Sequence, residues 1–254
     1  MRILIANDDG IYSPGIAILA EVAKKFGDVR VVAPDVEQSS AGHAVTASRP
    51  LSYRRTPIGD FEAYRVNGTP ADCVALGAYH WEKVDVVLSG INLGSNLGNS
   101  MWHSGTLAAA KQAVLLGLRG IALSAPVTRD EPNLEILKPS LEKVLALLLP
   151  DRDLGLVNVN FPDEEPKGLY WTRQSVRRYD GKVVPGEDPL GRKLFWFTVI
   201  PIEGTDEGTD RWAVEHGYVS MTPLRLDLTN EKELAAAQLR HPLDGRFSRL
   251  LKNV

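Results

Sequence analysis

Cysteine, a basic excess and long apolar runs are what this chain has least of. It carries one cysteine, Cys73, in 254 residues, which excludes an internal disulfide and a cysteine-rich zinc site. Its formal net charge of -3 argues against binding to the nucleic-acid backbone, because such domains usually carry a basic excess. No apolar run approaches a membrane span, and the amino terminus lacks a signal-peptide pattern. We therefore expect a cytoplasmic protein that binds neither nucleic-acid polymers nor membranes.

Apolar segments with strand and helix periodicity alternate through residues 1–164. Thr69, Pro70 and Asp72 form a capping-box pattern, which predicts that a helix begins there. The predicted strands are 3–6, 29–33, 84–89, 121–124 and 156–161, and the predicted helices are 14–26, 70–79, 107–116 and 133–149. Strands that are separated by helices pair in parallel between helical layers. We predict a three-layer α/β/α domain over 1–164, with a Rossmann-like, mostly parallel sheet.

Glycine, proline and charge rise in residues 165–254, for which we predict a C-terminal extension with a β-hairpin arm and a final helix at 231–239. Asp180-Gly181 is a turn signal between strand-like segments. The run 193–200, Lys-Leu-Phe-Trp-Phe-Thr-Val-Ile, is too apolar for a half-exposed hairpin. It packs on its own domain or pairs with another subunit. We favour the second reading and expect residues 166–215 to be an oligomerisation arm.

Two adjacent carboxylates, Asp8 and Asp9, follow the first predicted strand and precede a glycine turn. Such a pair at the end of a buried strand is costly because the two charges repel each other. A divalent cation would remove that cost, and ligands bind at the carboxyl ends of strands in open α/β sheets. The alternative is an Asx-rich turn that caps the next helix.

Small polar residues follow other predicted strands, and their loops meet at the same sheet edge. In Ser-Gly-Ile-Asn-Leu-Gly-Ser-Asn, residues 89–96, Asn92 and Asn96 offer neutral oxygen ligands or amide donors, although a plain glycine-rich connector has the same composition. Residues 103–106, His-Ser-Gly-Thr, precede a helix whose free N–H groups favour an anion, or else Ser104 or Thr106 simply caps it. His103 is a candidate general acid or a solvated loop residue.

Six motifs in order resemble those of the SurE family, the stationary-phase survival phosphatases. They are Asn-Asp-Asp-Gly at 7–10, Ala-Pro-Asp at 33–35 with Gln38-Ser39, Gly-Thr-Pro-Ala-Asp-Cys at 68–73, Ser-Gly-Ile-Asn-x-Gly-x-Asn at 89–96, Ser-Gly-Thr at 104–106, and Gly-Tyr-Val-Ser-x-Thr-Pro-Leu at 217–224. The resemblance spans almost the whole chain. One departure is Ser-Ser-Ala-Gly-His after Gln38, where the family pattern has Ser-Gly-Ala-Gly.

The resemblance implies a role for each matching position. The implied metal ligands are Asp8, Asp9, Ser39 and Asn92. The implied phosphate-binding residues are Asn96, Ser104, Gly105 and Thr106. The implied catalytic residues are Asp8 and Asp9, beside the attacking water, and Asn96, beside the developing phosphoryl charge. The family also implies a homodimer or homotetramer that exchanges C-terminal segments between subunits.

The expected activity is hydrolysis of nucleoside 5'- and 3'-monophosphates, with one Mg²⁺ or Mn²⁺ per subunit. The Asp-x-Asp arrangement of aspartyl-phosphate phosphatases is absent from the site segment, which favours direct attack by water. Two alternatives stay open at this point. One is a haloacid-dehalogenase-like phosphatase, and the other is a metal-assisted nucleotide-binding or regulatory module without turnover.

Overall fold

The structure, a computed structural model, describes residues 1–126, 134–176, 179–201 and 204–241. It divides into two compact units, Met1–Leu224 and Arg225–Val254, and the second contributes one helix to the described residues. None of the helices in the described ranges combines the length and apolarity needed to cross a bilayer. The predicted start of a helix at Asn133 lies outside the described residues.

The elements of the first part of the chain follow the predicted alternation, except that two strands that were not predicted lie between residues 53 and 66. The strands are β1 (Arg2–Ala6), β2 (Asp28–Pro34), β3 (Tyr53–Ile58), β4 (Phe61–Val66), β5 (Val86–Leu93), β6 (Arg119–Ala125), β7 (Leu156–Asn160), β8 (Leu169–Trp171), β9 (Tyr179–Glu187), β10 (Lys193–Pro201) and β11 (Val219–Pro223). The helices are α1 (Pro14–Ala23), α2 (Pro70–His80), α3 (Gly105–Leu115), α4 (Lys138–Leu148), α5 (Asp210–Glu215) and α6 (Glu231–Arg240).

A nine-stranded sheet in the order β3-β4-β2-β1-β5-β6-β7-β11-β8 forms the centre of the first unit. Neighbours from β4 to β7 pair in parallel, whereas β3 and β11 run antiparallel to β4 and β7. The mostly parallel α/β fold predicted from the sequence is confirmed. The domain division after residue 164 stays a prediction, and β8 and β11, which lie beyond it, belong to this same sheet.

Two apolar layers cover the two faces of the sheet because consecutive side chains of a strand point to opposite sides. Ile3 and Ile5 of β1 pack in one cluster with residues of α1 and α4. Leu4 and Ala6 pack in the other with residues of α2 and α3, and Cys73 belongs to that second cluster. The predicted capping box of α2 is present, with the Thr69 hydroxyl accepting from Asp72 N–H. These two helical layers hold the strand ends in place.

The predicted turn at Asp180-Gly181 is wrong. Both residues lie in β9, where they pair with Ile200 and Val199 of β10, and the chain reverses at residues 188–192. Asp188 makes that turn, since its carboxylate accepts from the N–H groups of Leu190 and Arg192. An aspartate whose carboxylate accepts from backbone N–H groups a few residues later favours a turn. The chain therefore turns after Asp188 rather than at Asp180-Gly181.

Candidate active site

The carboxyl ends of β1, β2, β5, β6 and β7 meet at one edge of the sheet because these five neighbouring strands are parallel. A cleft of about 790 Å³ opens there, and Asp8, Ser39, Asn92 and Asn96 lie on its wall. Asp9 lies beside it and accepts a hydrogen bond from the N–H of Leu93, a residue of the wall. The structure therefore brings together residues from three separate loops, as the strand-end argument predicts.

The Asp8 carboxylate is buried, with 4% of the residue exposed, and it faces the first turn of α3. The Thr106 hydroxyl donates to Asp8 Oδ1 at 2.7 Å. Burial raises the pKa of Asp8, and hydrogen bonds from Thr106 and from the N–H groups of Thr106 and Gly105 partly offset that rise. The anion that this helix terminus holds in the structure is thus the Asp8 carboxylate itself, at the position where a helix favours negative charge.

Burial and the neighbouring charge of Asp8 raise the pKa of Asp9 to about 6. The Leu93 N–H, which donates to Asp9 Oδ2 at 3.2 Å, opposes the shift only in part. Neither carboxylate forms an ion pair with a lysine, arginine or histidine in the part of the chain that the structure describes. Two carboxylates that repel each other without a cationic partner form a site that a metal ion would stabilise.

This carboxylate pair makes the stability of the metal-free protein depend on pH. A carboxyl whose pKa is higher in the folded state favours folding below its unfolded pKa and ceases to do so as the pH rises through the folded value. Between pH 4 and pH 6 the unfolding free energy of the metal-free protein should therefore fall, and Asp9→Asn should flatten that slope. Denaturant titrations in the presence of a chelator measure this. Identical slopes in the two proteins would contradict it.

The Ser39 loop is anchored to the carboxylate pair and to the segment before α3. Gln38 N–H donates to the Asp8 carbonyl at 2.7 Å, and Gly42 N–H donates to the His103 carbonyl at 3.0 Å. The Ser39 hydroxyl donates to Glu37 Oε1 at 2.5 Å, which leaves its oxygen lone pairs available to a cation. Ser40 has a φ of +60°, a left-handed conformation that suits glycine and accounts for the glycine in the family pattern.

Asn96 is held by a buried network that the sequence analysis did not predict. Asn158 and Asn160 donate their amide groups to the Asn96 carbonyl at 2.8 and 3.1 Å, and Asn160 Oδ1 accepts from Asn96 N–H at 2.7 Å. The Asn96 amide nitrogen donates to Ser124 Oγ at 2.9 Å and to Thr106 Oγ1 at 3.3 Å. A chain of hydrogen bonds therefore runs from Asn96 through Thr106 to Asp8.

Comparison of the chain with known protein families, sequences and structures agrees with this geometry. A family model described as Survival protein SurE matches residues 3–181. The chain belongs to the SurE family. A relative named 5'-nucleotidase SurE 1, from Thermus thermophilus, is 47% identical over 236 residues, which cover 90% of this chain and 93% of the relative. A crystal structure of a SurE protein from Aquifex aeolicus superimposes with a TM-score of 0.81 at 40% identity, and the match covers 94% of this chain and 99% of that one.

The oxygen atoms at this SurE site fit a hard divalent cation. Two carboxylates, an amide oxygen and a hydroxyl are the ligands that Mg²⁺ and similar ions prefer, with water completing the shell. Residues 1–126, 134–176, 179–201 and 204–241 contain no cluster of three or more His, Cys, Asp and Glu that could hold a metal. A zinc-type site is therefore not formed by these residues, and the candidate site uses neutral ligands beside its two carboxylates.

The structure places the implied phosphate-binding residues at different depths in the SurE cleft. Asn96 and Ser104 lie on its wall, and the Ser104 hydroxyl caps α3 by accepting from Leu107 N–H at 3.0 Å. Gly105 and Thr106 contact Asp8. His103 is exposed and lines the cleft, so its role as a general acid stays a prediction. The sequence analysis also missed Asn158 and Asn160, which hold Asn96 in place. Their signal in the sequence is a strand in which asparagines alternate with apolar residues.

Proposed function

We propose that this protein is a metal-dependent phosphomonoesterase that hydrolyses nucleoside 5'- and 3'-monophosphates to nucleoside and phosphate. The observation that carries the proposal is the pair of carboxylates, Asp8 and Asp9, at a cleft that Ser39 and Asn92 also line. Within the described ranges, this pair has no ion pair with a basic residue. Membership of the SurE family and relatives named 5'-nucleotidase support the substrate class. We expect one Mg²⁺ or Mn²⁺ per subunit and a cytoplasmic location.

The residues of the site divide into three roles in this proposal: binding the cation, accepting a proton and stabilising the phosphoryl group. Asp8, Asp9, Ser39 and Asn92 would hold a cation that supplies Lewis acidity and lowers the pKa of a bound water. Asp9 would accept the proton of the attacking water, because its Oδ2 is fixed by the N–H of Leu93, a residue of the cleft wall. Thr106 and Gly105 hold Asp8 in place. Ser104 and Asn96, which lie on the cleft wall, would stabilise the charge that the phosphoryl oxygens gain.

A phosphate-release assay tests the activity. Purified protein should release inorganic phosphate from 5'-AMP and 3'-AMP when Mn²⁺ or Mg²⁺ is present. Binding of the nucleotide without release of phosphate over many enzyme equivalents would favour the non-catalytic module instead. A phosphoenzyme trapped on acid quenching would contradict direct attack by water and favour an aspartyl-phosphate mechanism.

Asn96 and Thr106 should differ in what their replacement changes. Asn96→Ala should lower kcat about 10- to 100-fold with Mn²⁺ affinity nearly unchanged, since Asn96 contacts neither carboxylate directly. Thr106→Val should lower both kcat and Mn²⁺ affinity, because it removes the hydroxyl that Asp8 accepts from. Steady-state kinetics and calorimetry with Mn²⁺ measure the two effects. A loss of metal affinity in Asn96→Ala that equals the loss in Thr106→Val would contradict this division.

We also propose that the β9–β10 hairpin joins this chain to a second copy, in a homodimer or homotetramer. Phe195 and Trp196 lie on opposite faces of β10, and 65% and 52% of their surfaces are exposed in the single chain. Val183 and Val184 of β9 are exposed as well. A two-stranded ribbon with apolar side chains on both faces is marginal in water, so a second copy that covers both faces supplies the missing burial.

Replacing Phe195 and Trp196 with serine should shift the protein toward monomer in sedimentation velocity. The α/β unit should stay folded, because these side chains lie in the two-stranded sheet outside the nine-stranded one. Tyr79→Ser is the matched control, since Tyr79 is an exposed aromatic residue of α2, far along the chain from the hairpin. A wild-type protein that sediments as a monomer at micromolar concentration would contradict the proposal before any variant is made.

A further inference from the structure

Arg211 lies on the wall of the cleft that also contains Asp8, Asn92 and Asn96. It belongs to α5, which follows the hairpin in the chain and is remote in sequence from the candidate metal ligands. The motifs and the candidate mechanism do not use this residue. A guanidinium on the wall of a cleft is well suited to bind a ligand, because it offers several hydrogen-bond donors in one plane and two flat faces for stacking.

A buried carboxylate fixes the position of Arg211. Asp210 is fully buried, and its Oδ2 accepts from Gly98 N–H at 2.8 Å. Its Oδ1 accepts from the N–H groups of Ser175 and Arg211 at 2.9 and 2.8 Å. Gly98 and Ser175 are themselves part of the cleft wall. The first turn of α5 is therefore tied to the same loop that carries Asn92 and Asn96.

The charge around Arg211 indicates what kind of ligand group its side chain binds. Its Nε donates to Glu215 Oε1 at 2.5 Å, in an ion pair one helical turn apart. The carboxylate of Glu215 offsets the charge of the guanidinium and would repel a second phosphate. A flat, partly neutralised guanidinium is suited to stacking on a planar neutral ring and to donating to its edges.

The size of the cleft leaves room for such a group. At about 790 Å³ it lies within the range of roughly 300–1,000 Å³ that small-molecule sites occupy, which is more than a phosphate requires. Asp8, Asn92 and Ser104 account for the part of the wall assigned to cation and phosphate. Arg211, Ser175 and Gly98 form a part of the wall to which that chemistry assigns no ligand.

We propose that Arg211 is a specificity-determining residue that contacts the nucleobase of the substrate, with Asp210 as the residue that positions it. This inference rests on the proposed nucleotidase function and adds the group that recognises the nucleoside. The phosphate end of the substrate is bound by other residues, so Arg211 contributes to affinity for the nucleotide and leaves the reacting phosphate unaffected.

Arg211→Met tests this, because methionine keeps much of the length and removes the charge and the donors. With the Mn²⁺-loaded protein, KM for 5'-AMP should rise about tenfold with kcat within about twofold, at the lower end of what stacking on a base contributes. The inhibition constant of inorganic phosphate should stay within about twofold of the wild-type value. A variant whose KM for 5'-AMP is unchanged overturns the proposal, as does one in which the phosphate constant rises as much as KM.

Glu215→Gln is the matched control. It breaks the same ion pair and keeps the guanidinium, so its KM for 5'-AMP should stay within about threefold of the wild-type value. An increase in KM equal to that of Arg211→Met would show that only the ion pair matters and would overturn the proposal. Failure of the proposed function is a separate result, since wild-type protein would then release no phosphate from 5'-AMP at all.

Discussion

Replacing Asp9 with asparagine should lower kcat/KM for nucleoside monophosphates by at least about a hundredfold, because loss of groups that only support metal ligands already costs 10- to 100-fold. The change removes a charged ligand and the proposed proton acceptor in one step. The folded state should suffer little, since burial and the charge of Asp8 already disfavour ionised Asp9. Phosphate release and chemical denaturation without metal measure the two effects.

Asp163→Asn is the control for this variant because it removes the same charge from an exposed position outside the cleft. It should keep wild-type turnover. Wild-type turnover in Asp9→Asn at saturating Mn²⁺ would remove Asp9 from the active site. If Asp9→Asn lost activity only because it unfolds, its denaturation midpoint would fall. We expect the midpoint of metal-free Asp9→Asn to equal or exceed that of the metal-free wild-type protein.

Replacing Gly105 with alanine should lower kcat/KM about a hundredfold, because an added methyl group has no room beside Asp8. A Cβ at this position would lie 2.7 Å from Asp8 Cβ and 2.9 Å from Asp8 Oδ2. Either the first turn of α3 or the carboxylate must then move, and a misplacement of about 1 Å can cost a hundredfold in rate. The overpacked site should also lose about 1–3 kcal/mol of unfolding free energy.

Gly155→Ala is the matched control, since a Cβ there meets no atom within 4 Å. It should keep both turnover and stability, which separates the contact with Asp8 from the general effect of losing a glycine. Gly105→Ala should also bind Mn²⁺ more weakly in calorimetry. Normal kinetics and normal metal affinity in that variant would contradict the placement of α3 against the carboxylate pair.

Much of the α/β unit could be predicted from the sequence because its signals are local. The apolar strands β1, β2, β5, β6 and β7 lie where continuous hydrophobic runs predict them. The capping box at Thr69 and Asp72 set the start of α2 correctly. The strand-end argument also predicted which loops meet, since parallel strands present their carboxyl ends at one edge.

The parts that the sequence did not reveal depend on distant partners. Strand β3, at the edge of the sheet, and β4 beside it carry charged and aromatic residues, so they lack the apolar run of a buried strand. Strand β11 joins the sheet only through pairing with β7 and β8. The contact of Thr106 with Asp8 spans 98 residues, and a helix-start motif alone does not distinguish a bound phosphate from a carboxylate of the same chain.

The most direct test of the central claim is phosphate release from 5'-AMP by protein that has been stripped of metal with a chelator and checked for metal content. Without added metal we expect no release above background, because the Asp8–Asp9 pair then has no cation to share. Addition of Mn²⁺ or Mg²⁺ should restore turnover, with saturation at one ion per subunit. Full turnover in the stripped protein, with metal content confirmed as nil, would contradict the account.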